Sequence, residues 1–589
     1  MNLITYNSII NCKSSQSNEE VVFEKSKDNK NIFRICLSGN NIYLGNNESV
    51  KDDVNDFIKT LNISNIESDF IILGLGTGEH IEELIKKINS EARILIVEPN
   101  IQIIKEFMKL SYSKDIIDND NIILYLYSKD DILDIMAQFL NPNNIANTKC
   151  GVFANYGEVY PEIFTEIYSS FITVQKSIIM DLGTHVVHSY HFFKSFIYNF
   201  KFIIESPRVN CIKNIYEGMP AVVVSAGPSL LKNVHMLKEY QDQFIIITGG
   251  RTLKVLLDLG ITPDFVCVID PDTPAFDVMK DSLDSEVPLV YSEFTNYEVI
   301  RSYKGKKVFF TDVGMKDSIR NLFEEDVDGI YEGGSVAHVC AGLAVYLGCS
   351  SVVFIGQDFA YTDDKNHFNQ EHINYKTKNY FYVDDVHGKK VKIDDTLNLY
   401  KIAMEKFIEM NKKVTFINST AGGANIQGTK IMNLTDALNS LKRKAKDKNK
   451  IKQILNESNN KLDKGKIINK MKLIAKNIEI IRELCVSALN SYNDYIEFKK
   501  DGYDDIESIA NNFNITNSMI FSSIEELEII DIMISPALIN IVSNPLFKEK
   551  EGMSIEEKNE VTIKQNTILY SNIIKASNEL LFYLKNMEI

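Results

Sequence analysis

Between residues 220 and 273 the chain sets short apolar runs, polar or glycine-bearing breaks and helical periods in series. Ala221-Val222-Val223-Val224 is too short for a helix and shows no polar alternation, which predicts a strand buried on both faces. It ends at Ser225-Ala226-Gly227-Pro228-Ser229-Leu230, after which Leu230, Leu231, Val234 and Leu237 predict a helix. Gly227 permits a sharp turn or a close backbone approach, and Pro228 removes a donor that a first helical turn leaves unused. Ser229 is placed to cap that helix, whose free N–H groups would suit a phosphate. A second predicted strand, Phe244-Ile245-Ile246-Ile247-Thr248, ends in Gly249-Gly250-Arg251, and a helix carrying Leu253, Leu256, Leu257 and Leu259 stops at Gly260. A third, Phe265-Val266-Cys267-Val268-Ile269, runs into Asp270-Pro271-Asp272. The carboxyl ends of these strands are where open α/β sheets bind ligands.

The same alternation continues downstream. Strands are predicted at residues 287–291, 307–310, 351–355 and 414–417, with helices over 336–347 and 397–410. Gly333-Gly334-Ser335 opens the first of these helices, a second loop and helix N-terminus suited to an anion or a ribose. The strand at 351–355 exits into Gly356-Gln357-Asp358-Phe359-Ala360-Tyr361 and a polar loop holding His367 and His372. His387 lies before the helix that begins near Leu397. From about residue 432 the pattern is helical, and 442–472 is a basic run that reads as a solvated helix face or as a dock for an acidic partner.

Upstream, residues 33–44 read as a β-hairpin. Phe70-Ile71-Ile72-Leu73 then leads into Gly74-Leu75-Gly76-Thr77-Gly78, and Ile94-Leu95-Ile96-Val97 ends in Glu98. Alternating glycines plus an acid on the next strand resemble the Rossmann-like fold of S-adenosylmethionine methyltransferases. Two readings follow: a second nucleotide site, or a scaffold whose glycines serve helix–strand packing. Packing is favoured, because no methyltransferase catalytic motif is recognisable downstream. Residues 160–202 are helical in pattern throughout. His185, His188 and His191 drift around that helix without an adjacent acid, so packing is preferred to zinc.

The four expected regions are a β-rich segment at 1–65, a Rossmann-like domain with connecting helices at 66–205, a central α/β domain at 206–430 and a helical domain at 431–589. At 589 residues the chain is too long for one core. The eight cysteines never form a Cys-x-x-Cys pair, and Cys267 and Cys340 sit in apolar runs as buried thiols. No run approaches the length of a membrane span, and the start lacks the basic and apolar regions of a signal peptide. These features predict a cytoplasmic protein with no membrane insertion and no zinc module. A net charge of −16 argues against nucleic-acid binding.

Taken in order, the motifs at 225–230, 333–337, 356–360 and 418–423 resemble the Maf (motility accessory factor) flagellin glycosyltransferases, whose central domain is of the DUF115 type. They are more distantly similar to bacterial CMP-sialic acid sialyltransferases. The resemblance implies a fold of α/β class with an N-terminal Rossmann-like domain, a central GT-A-like or sialyltransferase-like domain and a C-terminal helical domain. It implies transfer of a nonulosonic acid of pseudaminic or legionaminic type from its CMP-activated form to Ser or Thr of flagellin, for flagellum assembly and motility.

Carried over residue by residue, it puts Ser225, Ala226, Gly227, Pro228 and Ser229 around the nucleotide, with Ser335 on the family's nucleotide-binding serine beside Gly334. Gly249 and Gly250 stand where the sialyltransferases place one Asn, and Asp270 where they place another. Arg251 would meet the phosphate or the sugar carboxylate, with Gln357 and Tyr361 also on the substrate. His367 with Asp358 is the favoured base, and His387 is the alternative by position. His338 reads as a satisfied buried histidine. The resemblance requires no metal, but Asp270-Pro271-Asp272 matches in letters the Asp-x-Asp of metal-dependent glycosyltransferases, which leaves a divalent cation (Mg²⁺ or Mn²⁺) as an option. Two other readings stay open: a 6-hydroxymethylpterin pyrophosphokinase-like diphosphotransferase, and a non-enzymatic flagellin-binding assembly factor.

Overall fold

The computed structural model describes residues 20–37, 39–63, 68–142, 144–362, 365–369, 380–441, 445–458, 463–500, 505–524, 528–547 and 553–585. The chain divides into two compact units, 1–182 and 183–589. This differs from four regions: the boundary falls inside the long helix Pro161–Glu205, and the central and C-terminal regions form one unit.

The first unit starts with an antiparallel meander, β1 (Glu20–Lys25), β2 (Asn31–Leu37) and β3 (Asn40–Tyr43), which includes the expected hairpin. A four-stranded parallel sheet follows, made of β4 (Phe70–Leu73), β5 (Ile94–Glu98), β6 (Ile122–Leu126) and β7 (Lys149–Val152), in the order β6-β5-β4-β7. Every residue of β4 and β5 is buried, as uninterrupted apolar strands between helices should be. Phe33 and Ile35 of the meander join the same core as these strands.

The second unit is built on eight parallel strands. They are β8 (Pro220–Val224), β9 (Ile245–Gly249), β10 (Phe265–Val268), β11 (Leu289–Tyr291), β12 (Lys307–Phe309), β13 (Ser351–Ile355), and, after an antiparallel hairpin of β14 (Tyr380–Asp384) and β15 (Lys390–Asp394), β16 (Thr415–Asn418) and β17 (Lys430–Ile431). Their order is β12-β11-β10-β9-β8-β13-β16-β17. The sheet grows outward from β8 in one direction, then β13 returns to its other side. That reversal leaves a crevice at the carboxyl ends of β8 and β13.

Alternate residues of β8 serve opposite faces. Ala221 and Val223 pack with Val339, Leu343 and Phe407, while Val222 and Val224 pack with Leu230, Val234 and Leu256. The C-terminal helices Lys464–Lys500 and Ile555–Lys585 share a core with β10 and β11, through Ile478, Ile481, Tyr570 and Ile573. The helical tail is therefore part of the sheet's cover. Part of the basic run is not solvated: Lys446 is buried, paired with Asp264, and donates to the Phe244 carbonyl at 2.8 Å.

One expected helix is absent. After Ser229 the chain forms two 3-10 segments, Leu230–Lys232 and Val234–Glu239. Asn233, between them, turns inward and donates to the Ser419 carbonyl at 2.9 Å, which interrupts the helical pattern. Among the described residues no helix is long and apolar enough to cross a membrane.

Candidate functional site

The turns after β8 and β13 are pressed together at the crevice. A Cβ on Gly227 would lie 2.4 Å from the Gly356 carbonyl, and one on Gly356 2.3 Å from the Ser225 carbonyl. Only glycine tolerates such an approach. Here it joins two turns of the protein, where the sequence suggested an approach to a phosphate. Asp358 completes the joint. Its Oδ2 accepts from the Ser229 N–H at 2.7 Å and its Oδ1 from the Ser229 hydroxyl at 2.5 Å. Ser229 is fully buried and makes no side-chain cap. The anion at this turn is the protein's own carboxylate, which corrects the expectation of a phosphate on a helix capped by Ser229. Burial pushes the Asp358 carboxyl up, and the two Ser229 bonds pull it back.

Beside this joint lies a cavity of about 360 Å³ over the ends of β8, β9, β10 and β13. Ser225, Ala226 and Gly227 form one wall, with Gln357, Asp358 and Tyr361 next to them. The Ser225 hydroxyl donates to Gln357 Oε1 at 2.5 Å. Gly249, Gly250 and Arg251 line the floor beside Asp270 and Asp272, and Gly334 and Ser335 close the far side. His367 reaches the cavity from the loop beyond β13. Pro228 and Ser229 do not line it. Neither does His387, which is exposed at the tip of the β14–β15 hairpin with its N–H bound to Asp385. The side chain of His185, and all of His372, lie outside the described residues.

Charge in the cavity is uneven. Arg251 makes no hydrogen bond or ion pair among the described residues; burial lowers its pKa and the Asp270 charge opposes that. Asp270 opens to the cavity, yet enclosure by protein, with Asp272 nearby, raises its carboxyl. Asn296 holds this Asp-Pro-Asp loop by donating to the carbonyls of Pro271 at 3.1 Å and Asp272 at 3.0 Å. Burial, and then the Arg251 charge, lower the His367 ring to about 4, so it is neutral at pH 7. Its Nδ1 is buried without a hydrogen-bond partner.

His338, fully buried, is satisfied as expected: Nδ1 lies 2.7 Å from Ser335 Oγ and Nε2 2.9 Å from the Tyr400 carbonyl. For a metal, Asp270 and Asp272 supply two carboxylates, and His188 Nδ1 is 3.9 Å from Asp272. Among the described residues no group of three or more His, Cys, Asp or Glu is arranged to hold an ion. A cation at this pair would need oxygens from a substrate phosphate.

Sequence reasoning missed Asp394 and Tyr400, both on the cavity wall. Asp394 accepts from the Tyr361 hydroxyl at 2.8 Å and caps the helix Asp395–Met410 through the Leu397 N–H. An acid ending a strand just before a helical period was the available signal for that cap.

The glycine turn of the first unit is filled. A Cβ on Gly74 would lie 2.7 Å from the Tyr156 ring. Tyr156 accepts from the Gly76 N–H at 3.1 Å and donates to Glu98 at 2.9 Å. Glu98, the acid that would meet a ribose, also accepts from the Leu75 and Asn100 N–H groups at 2.9 Å and is fully buried. His80 stacks on Phe153 at 3.6 Å beneath the turn. Protein side chains occupy the crevice, in line with the packing reading.

Comparison with known proteins bears on the second unit most directly. The family described as 6-hydroxymethylpterin diphosphokinase MptE-like matches residues 194–364. A 6-hydroxymethyl-7,8-dihydropterin pyrophosphokinase of Methanocaldococcus jannaschii is 26% identical over 158 residues, which cover 26% of this chain and 63% of that relative's length. Among solved structures, the Maf glycosyltransferase from Magnetospirillum magneticum AMB-1 superposes with a TM-score of 0.62 at 14% identity, covering 99% of this chain and 94% of the other. The chain thus carries an MptE-like match over residues 194–364 within a multidomain α/β fold that is the fold of a Maf glycosyltransferase.

Proposed function

We propose that this chain is a protein O-glycosyltransferase that moves a nonulosonic acid, of pseudaminic or legionaminic type, from its CMP-activated donor to Ser or Thr hydroxyls of flagellin in the cytoplasm. The observation that carries the reading is Arg251, a guanidinium without a protein partner among the described residues, facing a cavity at the sheet's switch point. The paired N–H donors of a guanidinium suit a carboxylate or phosphate, and a CMP-nonulosonate offers both. In the transfer, the bond from the anomeric carbon to the phosphate oxygen breaks, and CMP leaves with the electron pair. The acceptor oxygen bonds to that carbon and gives up its proton to a base. His367, neutral and with one ring nitrogen unpartnered, fills that role. Asp358 holds the two turns together and thereby positions the loop that carries His367. No metal is required; a divalent cation at Asp270 and Asp272 would act with the donor's phosphate.

The MptE-like match favours a second reading, diphosphate transfer from ATP to a hydroxymethylpterin. One experiment separates the two. The purified chain is incubated with flagellin and a CMP-nonulosonate, and in parallel with ATP and 6-hydroxymethyl-7,8-dihydropterin. Flagellin should gain the mass of the sugar, and Arg251→Ala should weaken donor use by about tenfold to a hundredfold, the worth of a charged hydrogen bond. Unmodified flagellin alongside AMP release in the pterin arm would replace the first reading with the second. Inactivity in both arms would leave the assembly-factor reading.

A further inference from the structure

We propose that His338 is a positioning residue that fixes the Ser335 hydroxyl as an acceptor, so that the cavity reads a ligand O–H or N–H at Ser335 and does not hold a phosphate there. This rests on the reading of the cavity as a nucleotide site. The argument follows the hydrogens. The Tyr400 carbonyl can only accept, so His338 Nε2, 2.9 Å away, carries the hydrogen. Burial holds the ring neutral, lowering it to about 4 although the Tyr400 and Ser335 backbone groups favour the charged form, and with the one hydrogen on Nε2 the Nδ1 is bare. The Ser335 hydroxyl, 2.7 Å from Nδ1, therefore donates its single hydrogen to His338. Tyr331, Phe359 and Tyr400 enclose the ring with centroids 6.0–6.2 Å away, which opposes a flip.

Ser335 precedes the helix Val336–Tyr346 but makes no side-chain cap to it, as expected of a hydroxyl already engaged. What it presents to the cavity is lone pairs. Phosphate oxygens at neutral pH are acceptors too, and would meet Ser335 oxygen to oxygen. A ribose hydroxyl or a base amino group, each able to donate, is complementary. Residue type alone did not separate these cases, because an unconstrained serine serves as donor or acceptor.

The test uses the full chain, with binding of CMP, 2′-deoxy-CMP, 3′-deoxy-CMP, N4,N4-dimethyl-CMP and inorganic pyrophosphate measured by calorimetry. Ser335→Ala should weaken CMP by about threefold to tenfold, leave pyrophosphate unchanged, and cost nothing further for the one analogue that lacks the matching donor. His338→Gln keeps a donor towards Tyr400 but removes the acceptor facing Ser335, and should reproduce the CMP loss; His338→Asn, with an oxygen near the Nδ1 position, should restore binding. Equal losses for pyrophosphate and CMP would overturn the proposal. So would a ¹⁵N-histidine spectrum of the ligand-free chain showing His338 protonated at Nδ1. If wild type binds no CMP, the donor assignment falls, while the histidine spectrum and the pyrophosphate arm still decide the role of Ser335 and His338.

Discussion

His367 shows how a residue's surroundings set its chemistry. An imidazole in water titrates near 6.5. Here burial, reinforced by Arg251, lowers it to about 4. The lowered value means that the base form is fully present above about pH 5 and disappears as pH falls through 4. Donor turnover, as kcat/KM, should therefore stay level from pH 5.5 to 7 and fall only below about pH 5. A limb centred near 6.5 would show that another group takes the proton. His387 carries the same side chain, but its exposed hairpin tip is away from the cavity wall, so His387→Ala should leave kcat/KM unchanged. Both histidines were visible in the chain; only their placement separates them.

Among elements, two turns make the point that glycine has more than one use. The Gly74-Leu75-Gly76-Thr77-Gly78 turn has the letters of a nucleotide loop, but Tyr156 fills it from 82 positions downstream in the chain, a partner no local pattern reveals. Gly74→Ala tests this occupancy. Gly74 has φ of +102°, and the added methyl would press on the Tyr156 ring. The first unit should lose about 2–4 kcal/mol in denaturant unfolding, from backbone strain plus overpacking. CMP binding in the second unit should not change. A variant as stable as wild type would mean that Tyr156 yields readily and that the turn is open to a ligand. The segment after Ser229 carries the converse lesson. Its leucines have helical spacing, yet Asn233 and the Asp358–Ser229 pair draw the backbone into 3-10 turns.

Across the whole molecule, buried titratable groups make stability depend on pH in two opposing ways. Glu293 is fully buried, accepting from Thr311 at 2.9 Å and from the Asp312 N–H at 3.0 Å, and burial raises it from 4.5 to about 8. A carboxyl raised on folding contributes stability that is intact below about pH 4.5 and is lost as pH rises through 8. His80 and His338, lowered to about 3 and about 4, contribute stability that is present above 6.5 and is lost as pH falls through those values. Glu98, raised by burial to about 7, acts as Glu293 does, so the thermal midpoint should change little from pH 5 to 6.5, where two carboxyls oppose two histidines, and drop towards pH 9. Glu293→Gln, whose amide can donate to Thr311 while its oxygen keeps the Asp312 bond, should remove part of that alkaline drop, on the order of 5 kcal/mol across the full span. An unchanged slope in the variant would show that Glu293 is ionised without cost.

The sequence by itself determined the strands, because runs such as Ala221-Val222-Val223-Val224 and Ile94-Leu95-Ile96-Val97 have one favourable fate, burial on both faces between helices. It also determined that Gly227, Arg251 and Asp270 would fall just past strand ends, since each follows its strand within a few residues, and that Ser335 would open a helix. Tertiary structure alone decided what those ends do. The order of the sheet put β13 beside β8, and so set Asp358 against Ser229 where a phosphate had been expected. It brought Asp394 from the end of the hairpin and Tyr400 from the helix after it to the cavity, and gave His338 the Tyr400 carbonyl that fixes its tautomer. Those contacts join residues 60 to 130 positions apart, as with Ser229 and Asp358 at 129 and His338 and Tyr400 at 62. Local periodicity reports which residues are buried, but a hydrogen-bond partner is settled only when the sheet closes and distant turns meet.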